Sequence, residues 1–300
     1  MPITYRLRST RGDYLALDSS QLDYLLYSAN AAGIAPVQHI TQQGVYQNGE
    51  TVRDVRTDPR TLQFGIDIMG DEPEDMPALR DALYAMLAPD YLGCYIEATR
   101  EDGSRRDILA RKVGALEMPE QVGNGFTRQR VVVTMRAGDP YWYDPMTTVW
   151  AYSVGGGSGL WSFPLGFSRG FGASTIDRTE TRQYLGTVPA FPVITLTGPL
   201  SDLIIENVTT GEKLDFEAKS YDIGDGETVV IDLRPRIKTA TSSVDGSIED
   251  ELSDDSDLGT FHIERRPEAS GGRNTMHITA SGCTAASAII FRFNTLYAGI

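Results

Sequence analysis

Between Ser153 and Gly172 the chain reads SVGGGSGLWSFPLGFSRGFG, seven glycines threaded with Trp161, Phe163, Phe167 and Phe171. Glycine loses more backbone freedom on ordering than any other residue, so a regular helix or strand across this stretch is costly. The stretch therefore divides the chain, and 300 residues leave enough on both sides for two domains that each bury a core. Several uses can be tested on its residues. A phosphate-binding loop needs Gly-Lys-Ser/Thr, and the stretch contains no lysine. A dinucleotide fingerprint needs a surrounding βαβ unit and a helix start, which the flanking residues do not supply. Ser158 has glycine on each side, but Leu160 stands where a nucleophile elbow needs its second glycine. Four aromatics could wedge into a membrane, but no basic face accompanies them. What remains is a joint: glycines give freedom and aromatics give contact area. The stretch is read as an inter-domain arm that docks on another surface through Trp161, Phe163 and Phe167.

The block before the arm reads mostly as strands. In RTLQFGIDI, residues 60–68, Leu62, Phe64, Ile66 and Ile68 alternate onto one face, the period of a half-buried strand. One helix follows: DEPEDMPALRDALYAMLAPD opens with acids and Pro73, which suit a helix N-terminus. Met76, Leu79, Leu83 and Met86 or Leu87 then recur at three- and four-residue spacing, and the helix should end before Pro89. A hairpin is predicted about Asp102-Gly103, and another strand over 129–137. The motif GDPYWYDP, with Pro140 and Pro145 around three aromatics, is expected to stop the sheet near a domain boundary.

The block after the arm predicts a β-sandwich of about seven short strands with turns every 8–12 residues. Turns fall at Thr210-Gly211 and Gly224-Asp225-Gly226, and a hairpin is expected about Gly271-Gly272. Leu203, Ile205, Leu214, Phe216, Val229, Ile231 and Leu233 supply core faces, and Ile289, Phe291 and Phe293 alternate in the last strand.

Charge and chemistry narrow the function. The net charge is −14, with 15 basic and 21 acidic residues in 1–150 and 12 and 20 in 151–300. Such a field repels phosphate backbones and anionic lipid, so neither a specific nucleic acid nor a membrane is an expected partner. Cys94 and Cys283 are too few for a disulfide scaffold and form no C-x-x-C, and are expected as buried free thiols. The opening MPITYRLRSTRGDYLALD lacks the apolar core of a signal peptide, and no run approaches about 18 apolar residues. Together these predict a protein made in a reducing cytoplasm. His262 and His277 are expected to face each other across the late hairpin, without the further ligands that a metal needs. The acidic run from Asp245 to Asp257 lacks the Asp-x-Asx-x-Asx-Gly order of a calcium loop and reads as solvated. Asn207-Val208-Thr209 matches a glycosylation sequon without a secretory context. No motif singles out a catalytic group, a cofactor or a metal, and the chain reads as a non-enzyme.

The order of the pieces is more specific. A strand block with an acid-capped helix, a DGSRRDI hairpin and GDPYWYDP is followed by the connector LWSFPLGF, then by ENVTTGEKL (Glu206–Leu214), GETVVID (Gly226–Asp232) and a terminal FRFNTLYAGI. Over nearly its whole length the chain resembles the distal tail protein family of long-tailed bacteriophages. Gly272-Arg273-Asn274 resembles that family's late PG-x-N turn, with SGGRN in place of the proline. The resemblance implies a mainly β fold with one main α-helix: an N-terminal split-barrel-like belt domain (1–147), a glycine/aromatic connector arm (148–185) and a C-terminal galectin-like β-sandwich (186–300). It implies a homohexameric ring at the distal end of the tail, assembled in the host cytoplasm. The ring would join the tail tube protein and the tape-measure protein to the tail-tip or tail-fibre hub and receptor-binding proteins. The alternative is a carbohydrate- or receptor-binding module of the tail tip. A cell-wall hydrolase acting through carboxylates is a third reading. All three tryptophans, Trp142, Trp150 and Trp161, precede the expected sandwich, which leaves it no tryptophan on which to stack a sugar.

Overall fold

The computed structural model describes residues 3–17, 23–88, 92–119, 126–153, 175–265 and 271–300. The chain divides into two compact units, Met1–Pro145 with Tyr297–Ile300, and Met146–Leu296.

The first unit contains β1 (Thr4–Ser9), β2 (Tyr14–Ala16), β3 (Tyr24–Asn30), β4 (Val37–Gln42), β5 (Thr51–Thr57), β6 (Arg60–Met69), α1 (Met76–Met86), β7 (Cys94–Thr99), β8 (Arg105–Lys112), β9 (Arg128–Ala137) and the start of β10 (Trp142–Ser153). Strands pair in the order β2-β1-β7-β8-β10, and β9-β6-β3 continues from the far end of β8 through Arg111↔Arg136 and Lys112↔Met135. The predicted face of β6 is the core: Leu62, Phe64, Ile66 and Ile68 are buried with Leu7, Ile96, Ile108, Val131 and Val133. Helix α1 follows a 3-10 turn at Pro73–Asp75, where the Glu72 N–H donates to the Asp75 carboxylate (3.0 Å). It lays Met76 and Leu83 on this core, as the spacing requires. Gly103 takes φ 78° between β7 and β8, the left-handed conformation that the Asp-Gly turn called for.

Sequence and structure differ at GDPYWYDP. Strand β10 begins inside this motif and runs through Pro145. Pro145 lies two residues past the register pair Tyr143↔Asp107, and proline is tolerated in a strand where no ladder bond needs its N–H.

The second unit contains the rest of β10, then β11 (Ile176–Gln183), β12 (Val193–Thr197), β13 (Ser201–Asn207), β14 (Glu212–Asp215), β15 (Thr228–Asp232), β16 (Thr239–Ser242), β17 (Gly246–Ser247), β18 (Arg273–Ser281) and β19 (Ala288–Tyr297). One sheet runs β17-β16-β15-β12-β19-β10 and the other β11-β18-β13-β14. All seven core residues expected before residue 240 are fully buried, together with Ile289, Phe291 and Phe293. The expected connector therefore has strands as its described flanks: Thr148–Ser153 closes β10, and β11 occupies most of the other side. Trp150 belongs to the sandwich instead of preceding it, packed edge-on against Phe293 at 5.0 Å.

The late hairpin is also corrected. Strand β18 pairs with β11 and β13, and the segment before it contributes a single bridge, Ile263↔Ala190. Buried Asn274 holds that segment by side-chain bonds in place of a ladder. Its amide oxygen accepts from Glu264 N–H (2.9 Å), and its nitrogen donates to the Glu264 carbonyl (3.1 Å).

Candidate functional site

Strands β4 and β5 form a sheet of their own, and among the described residues no other strand pairs with them. Their register pairs Val37↔Thr57, His39↔Val55 and Ile40↔Asp54, then slips to Thr41↔Val52. Arg53 is the extra residue of this bulge. The slip puts Val52 and Val55 on one side although they are three apart, because cross-strand partners share a face. One face thus carries Val37, His39, Thr41, Val52, Val55 and Thr57, and the other carries Gln38, Ile40, Asp54 and Arg56. Val37, Val52 and Val55 are 45%, 52% and 54% exposed, and Val45 and Tyr46 at the tip are 93% and 99% exposed. A lone two-stranded hairpin is marginal in water, and an uncovered apolar face is a candidate interaction surface. In a chain of net charge −14, β4 and β5 carry Arg53, Arg56 and Asp54 and so no net negative charge. The sequence reading passed over this element, although Asn48-Gly49 between two alternating runs was its signal.

The unit also has an open edge. Among the described residues β3 pairs only with β6, which leaves a seven-residue strand with unpaired backbone groups along one side. Tyr27 of β3 lies over Gly65, where a Cβ would collide with its ring and with Ser28 Oγ, and the Arg130 guanidinium covers that ring at 4.3 Å. Arg128 and Arg130 pair with buried Asp67. Burial alone would raise the pKa of Asp67, and the two guanidiniums reverse this to a net lowering. The face of β1, β7 and β8 repeats the device. Buried Glu97 accepts from Arg6 (2.6 Å), Arg8 and Arg105 (2.5 Å), and buried Asp107 from Arg8 (3.3 Å) and Arg105 (2.6 Å). These carboxylates are paired with guanidiniums of their own unit and so build its faces. Beside the end of α1, Met86, Leu87, Cys94 and Met135 help to line a cavity of about 30 Å³, room for about one water and not for a substrate.

The residues singled out in the second unit are structural or apart. His262 and His277 do not face each other. His262 sits between Glu212 and Glu264, while His277 pairs with Asp177 (3.0 Å) and Glu206 (3.6 Å). Among the described residues no group of three or more His, Cys, Asp or Glu is arranged to hold a metal ion. The acidic run is less loose than expected: Ile248 and Leu252 are buried, and Asp257 accepts the Lys213 N–H at 2.9 Å. Asn207 of the sequon is fully buried, its amide donating to the His262 carbonyl at 2.8 Å. Both cysteines are free and buried. Trp161, Phe163 and Phe167, the expected docking residues, lie outside the described residues.

No protein-family model matches the chain, and no curated protein matches it. Among solved structures, the SPP1 Dit (gp 19.1) protein is described as a paradigm of the hub adsorption apparatus in phages infecting Gram-positive bacteria. It matches over 98% of this chain and 99% of its own, with a TM-score of 0.59 and 12% identity. Two structures of the phage P2 baseplate in its activated conformation, with Ca and with Sr, match over 98% of both chains at 11% identity, with TM-scores of 0.44 and 0.45. The chain thus shares the fold of the SPP1 Dit protein.

Proposed function

We propose that this protein is a structural subunit of a ring-shaped hub at the distal end of a phage tail. In this reading six copies close a ring, the second unit is a galectin-like sandwich, and the hub joins the tail tube and tape-measure proteins to the tail-tip proteins. The observation that carries it is hairpin β4–β5, whose apolar face is exposed and pairs with no other strand among the described residues. The fold agrees, since the structure it follows from end to end belongs to a protein described as a hub. A closed ring supplies each copy with a neighbour and leaves no hairpin exposed. No catalytic role is needed for this function.

The test is the mass of the purified protein by light scattering behind a sizing column. A subunit of 32.9 kDa gives six times that, roughly 197 kDa, for a hexamer. Serine at Trp161, Phe163 and Phe167 together should lower the mass while both units stay folded, if the arm docks as expected. A monomer at every concentration, alone and with its tail partners, would sink the reading. No observation favours the sugar-binding alternative: strands β11, β18, β13 and β14 carry no Phe, Tyr or Trp on which a pyranose could stack.

A further inference from the structure

Hairpin β4–β5 leaves the first unit through two roots, residues 31–36 before β4 and 58–59 after β5. The Asp58 N–H donates to the Pro36 carbonyl (2.8 Å) and draws the roots together, while the Tyr141 hydroxyl holds Thr57 Oγ1 at 3.1 Å. Far along the sequence, Tyr297–Ile300 arrives at the same place. The Ile300 N–H donates to the Ala32 carbonyl at 3.2 Å. A Cβ on Gly299 would stand 2.9 Å from that oxygen and 3.3 Å from the Gly33 carbonyl, so only glycine lets the two backbones approach this closely. Arg106 donates to the Gly299 carbonyl, and its guanidinium lies 3.6 Å from the centroid of the Tyr297 ring.

Arg60, the first residue of β6 after the hairpin, spans the junction. Nη1 donates to the Ala31 carbonyl of the root (3.4 Å) and Nη2 to the Ala298 carbonyl of the arriving segment. Arg60 is 3% exposed, its Nε has no partner, and no carboxylate pairs with it among the described residues. The Trp142 ring lies 5.9 Å away. Burial lowers its pKa without a nearby acid to offset the effect. An uncompensated buried cation is expensive, and methionine would fill the same volume without that cost. The carbonyls of root and segment are what an arginine gains here: its planar fork binds both at once, which a hydrocarbon cannot do.

We infer that Arg60 and the segment Tyr297–Ile300 are positioning elements for hairpin β4–β5, fixing the direction in which it leaves the unit and so making its apolar face able to join a second copy of the chain. The inference rests on the proposed hub reading, in which that hairpin is the joining arm. The same cluster explains why the chain, after building β19, spends its next residues on a site more than 200 positions earlier.

Orientation and assembly are measured separately. Spin labels at Tyr46→Cys on the hairpin tip and Asp102→Cys on the β7–β8 turn report the direction of the arm. They are placed in a Val52→Asp/Val55→Asp background that removes self-association. Arg60→Met and Gly299→Val should broaden a single narrow distance distribution into several, with thermal midpoints held within a few degrees. In the unlabelled chain with its valines intact, both variants should weaken self-association at least tenfold by light scattering. A distribution that stays narrow in both variants overturns the positioning role, whatever the oligomeric state. If Arg60→Met unfolds the unit, Gly299→Val and the milder Gly299→Ala carry the test on the same two readouts. Failure of the hub reading appears differently, as a wild-type monomer whose distance distribution still responds to Arg60.

Discussion

At His262 a single side chain has acceptors on both sides. Nδ1 lies 2.9 Å from the Thr260 carbonyl and 3.0 Å from Glu212 Oε2, and Nε2 lies 3.2 Å from Glu264 Oε2. A neutral imidazole carries one N–H and would turn a lone pair toward one of these acceptors, so the protonated ring fits best. Burial by itself lowers the pKa, but the Thr260 carbonyl, Glu264 and Glu212 outweigh it and the net shift is upward. A group with a raised folded pKa gives stability that is complete below its unfolded value, about 6.5, and is lost as pH rises through the folded value. The thermal midpoint of the second unit should therefore fall from about pH 6.5 upward, and His262→Gln should flatten that slope. An unchanged slope in the variant would remove His262 as its source. The sequence made His262 conspicuous but misplaced it. What sets its neighbours is Glu264, held by the Asn274 amide, and no short-range pattern announces such a long-range bond.

Elements whose apolar residues are buried in one period were legible. Strand β6, helix α1, the β7–β8 hairpin and strands β12 to β15 follow their spacing because the core rewards it. Hairpin β4–β5 was not legible, since its apolar residues are uncovered in the single chain and the bulge at Arg53 breaks the alternation of Val52 and Val55. Strand β10 was not legible either, because Pro140 and Pro145 read as the end of the sheet. Glycine 65 shows a further limit: inside the β6 pattern it looks like a weak point, yet it is where Tyr27 lies flat on the sheet under Arg130. Gly65→Val should displace that ring and destabilise the first unit by about 1–3 kcal/mol in denaturant titration. Because a Cβ at 65 also meets Ser28 Oγ, Tyr27→Ala should remove only part of the penalty in the double variant, still a coupling that independent sites would lack. If the penalties simply add, the ring is not what the valine strikes.

At the scale of the whole molecule, the glycine-rich stretch reads as the break between two strand-built blocks, whereas the two compact units part at Pro145 and Met146, beside GDPYWYDP. The proposed assembly surface was less legible, because a face left uncovered in the single chain carries no core period. The charge does bear on assembly. Each copy carries −14, so gathering six in the proposed ring would set their fields against one another. An apolar hairpin is indifferent to screening, whereas that repulsion weakens as the Debye length falls from about 10 Å at 0.1 M salt to about 3 Å at 1 M. If Val37, Val52 and Val55 carry the contact, raising NaCl from about 0.1 M to about 0.5 M should tighten self-association severalfold in sedimentation equilibrium. The exposed arginines offer the opposite mechanism. Arg128 and Arg130 stand more than half exposed over Asp67, and a ring joined through such guanidiniums to acids of a neighbour would loosen as salt rose. The sign of the salt dependence therefore decides between an apolar seam and an ionic one. The satisfied state of Glu97, Asp107 and Asp67 within their own unit favours the apolar seam, because those arginines already have their carboxylates.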